Sequence, residues 1–241
     1  MRSLFALLLL ALSFSSCTST TESTGIDAVL SFYGGKVVYS SGVVASTADE
    51  LQGRFYELKL SGVAPKMKQY FASLQLPASN CAYLFYHALS PEEKTRYSFI
   101  RITIAETASN DTYEFPIQDL AKAERAMLQA DNLLNYMRTG DYAHVVAKGS
   151  LLATSAQEWQ KAKSLFTAID KEYGRVQAFS LQGFAISHQN LAKSGTMEFV
   201  RLAGVLVREK QSTDFTFALL PTTTLQGNYL YGFVFSKREN Q

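Results

Sequence analysis

The second half of this chain places three helix-like segments ahead of four strand-like ones, and that order narrows the possible folds more than any other feature. Leu120, Ala123, Met127, Ala130, Leu134 and Met137 recur at three- and four-residue spacing and form one apolar helical stripe. Asp119 is expected to cap this helix and Gly140 to stop it, with Asp141 opening a short helix beyond. Ser155-Ala156-Gln157-Glu158 reads as a capping box. The helix it opens puts Trp159, Ala162, Phe166, Ile169 and Tyr173 on one face. Four strand-like stretches follow, at about 175–187, 196–208, 213–220 and 227–235, with the spacing of an antiparallel meander. One apolar stripe per helix and one apolar face per strand require the helices to pack on the sheet.

The first half has a different rhythm. Residues 28–33 and 36–45 read as strands around a Gly34-Gly35 turn. Between 53 and 60 the pattern alternates, with Tyr56, Leu58 and Leu60 on one side. Residues 66–74 and 79–89 read as helices. Ser90-Pro91-Glu92-Glu93 is a helix start with a capping residue, a first-turn proline and a closing glutamate. Ile100, Ile102 and Ile104 share one face of a strand at 99–105. Asn110-Asp111 turns the chain into another strand at 112–115, which Pro116 interrupts. The expected fold is therefore α+β in two α+β domains, at 26–118 and 119–237. The second has helices packed on a curved four-stranded antiparallel sheet.

Composition excludes several functions. Hydrophobic residues make up 47% of the 241, enough for a sizeable core. A formal net charge of +2 provides no basic field for nucleic acid. The chain has no glycine-rich phosphate loop and no Gly-x-Ser-x-Gly elbow. His87, His144 and His188 have no metal-ligand spacing, so neither metal nor cofactor is expected. Asp49-Glu50 and Glu92-Glu93 are explained as turn and helix-start residues, and Asp170 and Glu172 as solvated. Cys81, in the apolar run Asn80-Cys81-Ala82-Tyr83-Leu84-Phe85, is expected to be a small buried hydrophobe.

The N-terminus reads as an address. Arg2, an apolar run from Leu4 to Leu12 and the small segment Phe14-Ser15-Ser16 lead into Cys17. The apolar run is shorter than the about 20 residues that a spanning helix needs. This arrangement resembles a bacterial lipoprotein signal, which implies that 1–17 ends at a lipidated Cys17. It also implies a mature protein held in the cell envelope, with the membrane as partner through the anchor. Thr18 stands where enteric lipoproteins carry an inner-membrane retention Asp, so the outer membrane is expected rather than the inner. Thr18 to Thr24 holds no apolar residue, and 18–25 is expected to be a flexible tether.

A second resemblance rests on Leu133-Leu134-Asn135-Tyr136-Met137-Arg138-Thr139-Gly140-Asp141-Tyr142, on Trp159 and on Asn228-Tyr229. With three helices before four strands, residues 119–237 resemble the nuclear transport factor-like, or cystatin-like, cone domains of small secreted bacterial proteins. Enzymes of that superfamily carry Asp and His inside the cone. No such pair maps onto this chain, so no catalytic residue is expected. Tyr229, Tyr231, Phe233 and Phe235 share one strand face, and Phe215 and Phe217 share another. Trp159, Phe215, Phe217, Tyr229, Tyr231 and Phe233 are the candidate lining of a cone pocket. Simple packing of these rings on Trp159, Phe166 and the Leu120 stripe is the competing reading. The expected role is a non-catalytic module binding a small ligand or an envelope protein. The alternatives are a periplasmic enzyme using polar groups inside the cone and a structural or assembly lipoprotein. If Trp159 belongs to the core, Trp159→Ala will lower stability by about 3–5 kcal/mol in urea unfolding. A change near zero would break the helix-face assignment.

Overall fold

A computed structural model describes residues 18–45, 51–106, 110–191 and 195–238, so the expected signal and Cys17 lie outside the described part. The first sheet contains β1 (Lys36–Val44), β2 (Gly53–Ser61), β3 (Phe99–Ala105) and β4 (Asn110–Pro116), adjacent in that order. β2 and β3 run parallel, whereas the flanking pairs are antiparallel. A parallel pair needs a long crossover. Here the crossover holds three helices: α2 (Ala64–Tyr70), α3 (Gln75–Ala88) and α4 (Pro91–Arg96). Register places Tyr56, Leu58 and Leu60 beside Ile100, Ile102 and Ile104. All six are fully buried, as their alternation in sequence requires.

The second sheet is an antiparallel meander of β5 (Val176–Leu191), β6 (Gly195–Arg208), β7 (Thr213–Leu219) and β8 (Leu230–Lys237). Irregularities at Val176/Ala178, Leu181/Gly183 and Ala218/Leu219 bend it locally. The three helices that precede it are α5 (Ile117–Thr139), α6 (Tyr142–Ala147) and α7 (Ala156–Tyr173). The protein is thus α+β, with two four-stranded sheets and helices packed with each. α5 starts two residues before the expected cap. Asp119 sits inside its first turn and pairs with Lys122 at 3.0 Å. Its far end is as expected: Gly140 takes the left-handed conformation, and Asp141 N–H reaches back to the Tyr136 carbonyl at 2.8 Å.

The largest departure from the sequence reading is at the start of the described chain. Residues expected to form a tether and then a strand are instead one helix, α1 (Thr20–Tyr33), and Gly34-Gly35 joins it to β1 rather than turning a hairpin. Ser19 caps α1, and a complete capping box with Glu22 holds its first turn. The buried residues Glu22, Gly25, Val29 and Tyr33 fall at helical spacing. That stripe is hard to read as helical, because two of its four members are not apolar. Gly25 lies against Phe85 of α3, and a Cβ there would collide with both the ring and the Phe85 backbone. The glycine is what allows the two helices to approach so closely.

α3 joins the halves. It buries Pro77, Ala78, Ser79, Asn80, Cys81, Ala82, Tyr83, Phe85 and Tyr86, which leaves almost no free face. α1 packs on one side of it and β5 on another. Ser79 Oγ accepts from Phe184 N–H at 2.8 Å and donates to the Leu76 carbonyl at 2.7 Å. The β5 irregularity sets Gly183 directly against that carbonyl. One continuous apolar core therefore runs through residues on both sides of position 118.

The start of α1 is clasped to the start of α4. Ser19 and Thr21 hydroxyls each donate to the Glu93 carboxylate at 2.5 Å, and Ser90 N–H donates at 2.7 Å. Burial pushes the Glu93 pKa up, but these hydrogen bonds outweigh it and bring the value down to about 2. A depressed carboxylate stabilises fully above its unfolded value of about 4.3 and loses that contribution as pH falls through the folded value. Acid unfolding monitored in urea should therefore steepen between about pH 4 and pH 2. Glu93→Gln should flatten that window, and matching acid profiles for the two proteins would remove Glu93 as the cause.

Candidate functional site

Four of the six rings expected to line a pocket are core. Trp159, Phe215, Phe217 and Tyr229 are all buried. Trp159 donates its indole N–H to the Ser150 carbonyl at 3.0 Å. Phe166 of α7 sits 4.7 Å from the Phe233 ring and 5.9 Å from Phe235, and Trp159 lies 6.2 Å from Phe233. α7 thus fills the space that the rings would otherwise have enclosed. The irregularity at Ala218/Leu219 pairs Leu219 with Leu230 and Ala218 with Gly232, which breaks the run that joined Tyr229 to Tyr231 in sequence. Tyr231 turns to Phe199, 4.3 Å away, and with Phe233 edges a hollow of about 340 Å³ that also includes Arg201 and Gln189.

A second groove lies elsewhere, between the two halves. Phe32 and Tyr33 end α1, and Val63, Lys66, Met67, Tyr70 and Phe71 come from α2 and its flanks. Across from them stand Ser180 and Gln182 of β5, Val205 and Val207 of β6, and Arg238 just after β8. Its volume is about 280 Å³, near the lower edge of the roughly 300–1,000 Å³ typical of small-molecule sites. Val63, Met67 and Val205 are buried in its lining, while Phe32, Tyr70 and Val207 are 40%, 50% and 43% exposed. Exposed apolar side chains gathered along one concave surface mark a contact site more strongly than scattered ones do. None of these residues belongs to the set chosen from sequence. Short segments far apart in the chain supply them, and their only local signals are the aromatic pairs Phe32-Tyr33 and Tyr70-Phe71 at helix ends.

The titratable groups are mostly structural. Each histidine sits beside a carboxylate: His87 on Glu124 at 3.0 Å, His144 on Asp141 at 2.6 Å and His188 on Glu198 at 3.2 Å. All three imidazoles are largely exposed, and the described residues contain no cluster of His, Cys, Asp or Glu suited to a metal ion. Cys81 is fully enclosed in α3, and burial pushes its thiol well above the ordinary range. Arg208 is almost fully buried and pairs with Asp170 at 2.8 Å. It also donates to the Gly174 carbonyl and to Thr213 Oγ1, each at 3.0 Å. Tyr142 donates to the other Asp170 oxygen. Burial, then the Asp170 carboxylate, drives the Tyr142 hydroxyl pKa upward. This network ties α6 and the end of α7 to the second sheet.

Compared with known proteins, the chain matches no family model, no curated protein and no solved structure, so its chemistry is argued from its own geometry. Removing one partner of a buried ion pair leaves an uncompensated charge and costs about 3–5 kcal/mol. Asp170→Ala should lose that much stability in urea unfolding. The apolar double variant Asp170→Leu, Arg208→Met should recover most of it. Equal losses in the single and double variants would show that packing, rather than charge, holds this corner.

Proposed function

We propose that this protein is a membrane-anchored envelope lipoprotein whose folded body is a non-catalytic binding module, with the groove between its halves as the ligand site. The groove carries the reading: its walls are apolar, its rim exposes Phe32, Tyr70 and Val207, and its lining holds no carboxylate and no imidazole. That lining suits an apolar ligand: the Tyr33 hydroxyl is already bonded to Pro77 and Asn80, and no described carboxylate or imidazole stands in the lining to pair with Lys66 or Tyr70 as a general acid or base.

The clasp at Ser19 and Thr21 bears on the anchor. With both hydroxyls held on Glu93, only Thr18 separates a lipidated Cys17 from the folded body. Two residues span at most about 7 Å, so the body would ride directly on the bilayer rather than on a loose tether. The fourteen residues of α1 then put Phe32 at the other end of a helix about 20 Å long. The groove would be held away from the anchored end.

Role as an assembly lipoprotein is the second reading. Leu165 of α7 and Val234 of β8 are 50% and 63% exposed and border one depression of mixed polarity with Ile169, Glu172 and Lys237. Intact mass of the protein from native membranes, beside a Cys17→Ser control, tests the anchor. The expected result is a processed mass carrying acyl chains that the control lacks. A processed but unacylated chain would make this a secreted protein and withdraw the membrane address.

A further inference from the structure

We infer that the groove takes a small amphiphile, an alkyl chain ending in a carboxylate, with its head group held between Lys66 and Arg238. This rests on the groove being the ligand site and adds the chemistry of what fills it. Lys66 and Arg238 are the lining's only charged side chains. Lys66 is exposed on α2 and has no ion-pair partner among the described residues. Arg238 has Asp214 at 3.7 Å, beyond hydrogen-bond length, and its guanidinium stays about one-third exposed. Its backbone is fixed, because Gln211 Nε2 donates to its carbonyl at 3.2 Å. Lys66 is unpaired among the described residues and Arg238 has only the loose Asp214 pair, so the described lining, which holds no anion, carries net positive charge at the rim of an apolar trough.

Each ligand class meets that field differently. A carboxylate would form charge-assisted hydrogen bonds with both cations, which are roughly twice as strong as neutral ones. An alcohol would keep the apolar contacts and could accept from Lys66 or Arg238 or bond to Ser180 and Gln182, but it brings no charge to pair with the cations. An ammonium would meet like charge on both sides. The tail has a matching surface in Val63, Met67 and Val205. The modest volume argues for one short chain rather than a two-tailed lipid.

Isothermal titration of the full chain in lipid nanodiscs, with empty nanodiscs as reference, tests this using octanoate, octanol and octylammonium. Octanoate should bind at least ten-fold more tightly than octylammonium, with octanol between them. Lys66→Gln with Arg238→Gln should weaken octanoate at least five-fold and leave octanol unchanged. Both side chains are at the surface, so the variants should keep the wild-type urea midpoint. Equal binding of octanoate and octanol, unmoved by the two substitutions, would overturn the carboxylate assignment while leaving the groove as an apolar site. No binding of any probe, with Val207→Trp equally without effect, would overturn the groove itself as well.

Discussion

The structure depends on a helix with no free face. α3 is buried along nearly its whole length, and the side chains it buries are divided among several neighbours. Phe85 receives α1 through Gly25, and Ser79 receives β5 through the Phe184 N–H. Tyr33 donates to the Pro77 carbonyl at 3.3 Å and accepts from Asn80 Nδ2 at 3.0 Å, which closes the end of α1 onto the same helix. A helix in this position cannot be amphipathic, because it has no solvent side to mark. Its composition is accordingly small and aromatic, set by the distance to each neighbour rather than by one stripe.

The groove is a consequence of that arrangement. α1 is held by β1 and α3, while β5 and β6 follow the bend of the second sheet. Two surfaces fixed by separate partners meet without interlocking along their whole length, and a trough remains between them. The rings at its rim stay exposed because nothing in either half is shaped to cover them. The same separation explains why the trough carries charge of one sign. Lys66 and Arg238 reach it from different halves, and Asp214, which pairs loosely with Arg238, is not among the described lining residues.

Buried polar groups do a different job at the other end of the second half. Arg208, Asp170, Tyr142 and Thr213 satisfy one another where two helices and a strand end together. Pairing of this kind adds little net stability over an apolar core, yet it penalises any arrangement that separates the partners. Gln129 acts similarly, donating to the Leu220 and Thr223 carbonyls and so fixing the long β7–β8 connection against α5. The candidate cone pocket is closed in the same region, because α7 presses Trp159 and Phe166 onto the rings that would have lined it.

Elements with one buried face were legible from the residues alone. The Tyr56-Leu58-Leu60 and Ile100-Ile102-Ile104 ladders, the Leu120 stripe, the Gly140 stop, the Ser90 box and the four-strand meander all follow from period and capping chemistry, which act within a few residues. α1 did not read as a helix, because its inward stripe carries Glu22 and Gly25, residues whose reasons lie in Tyr39 and Phe85 elsewhere in the chain. The sequence by itself determined the α+β class and the antiparallel second sheet, since each depends on local periodicity, and left Trp159 open between pocket lining and core. Only the tertiary structure decided that Phe215, Phe217 and Tyr229 are core while Tyr231 and Phe233 are half-buried, and that an open groove lies between the halves. A groove built from distant short segments has no period of its own, and its lining exists only once α3 has brought the two sheets together.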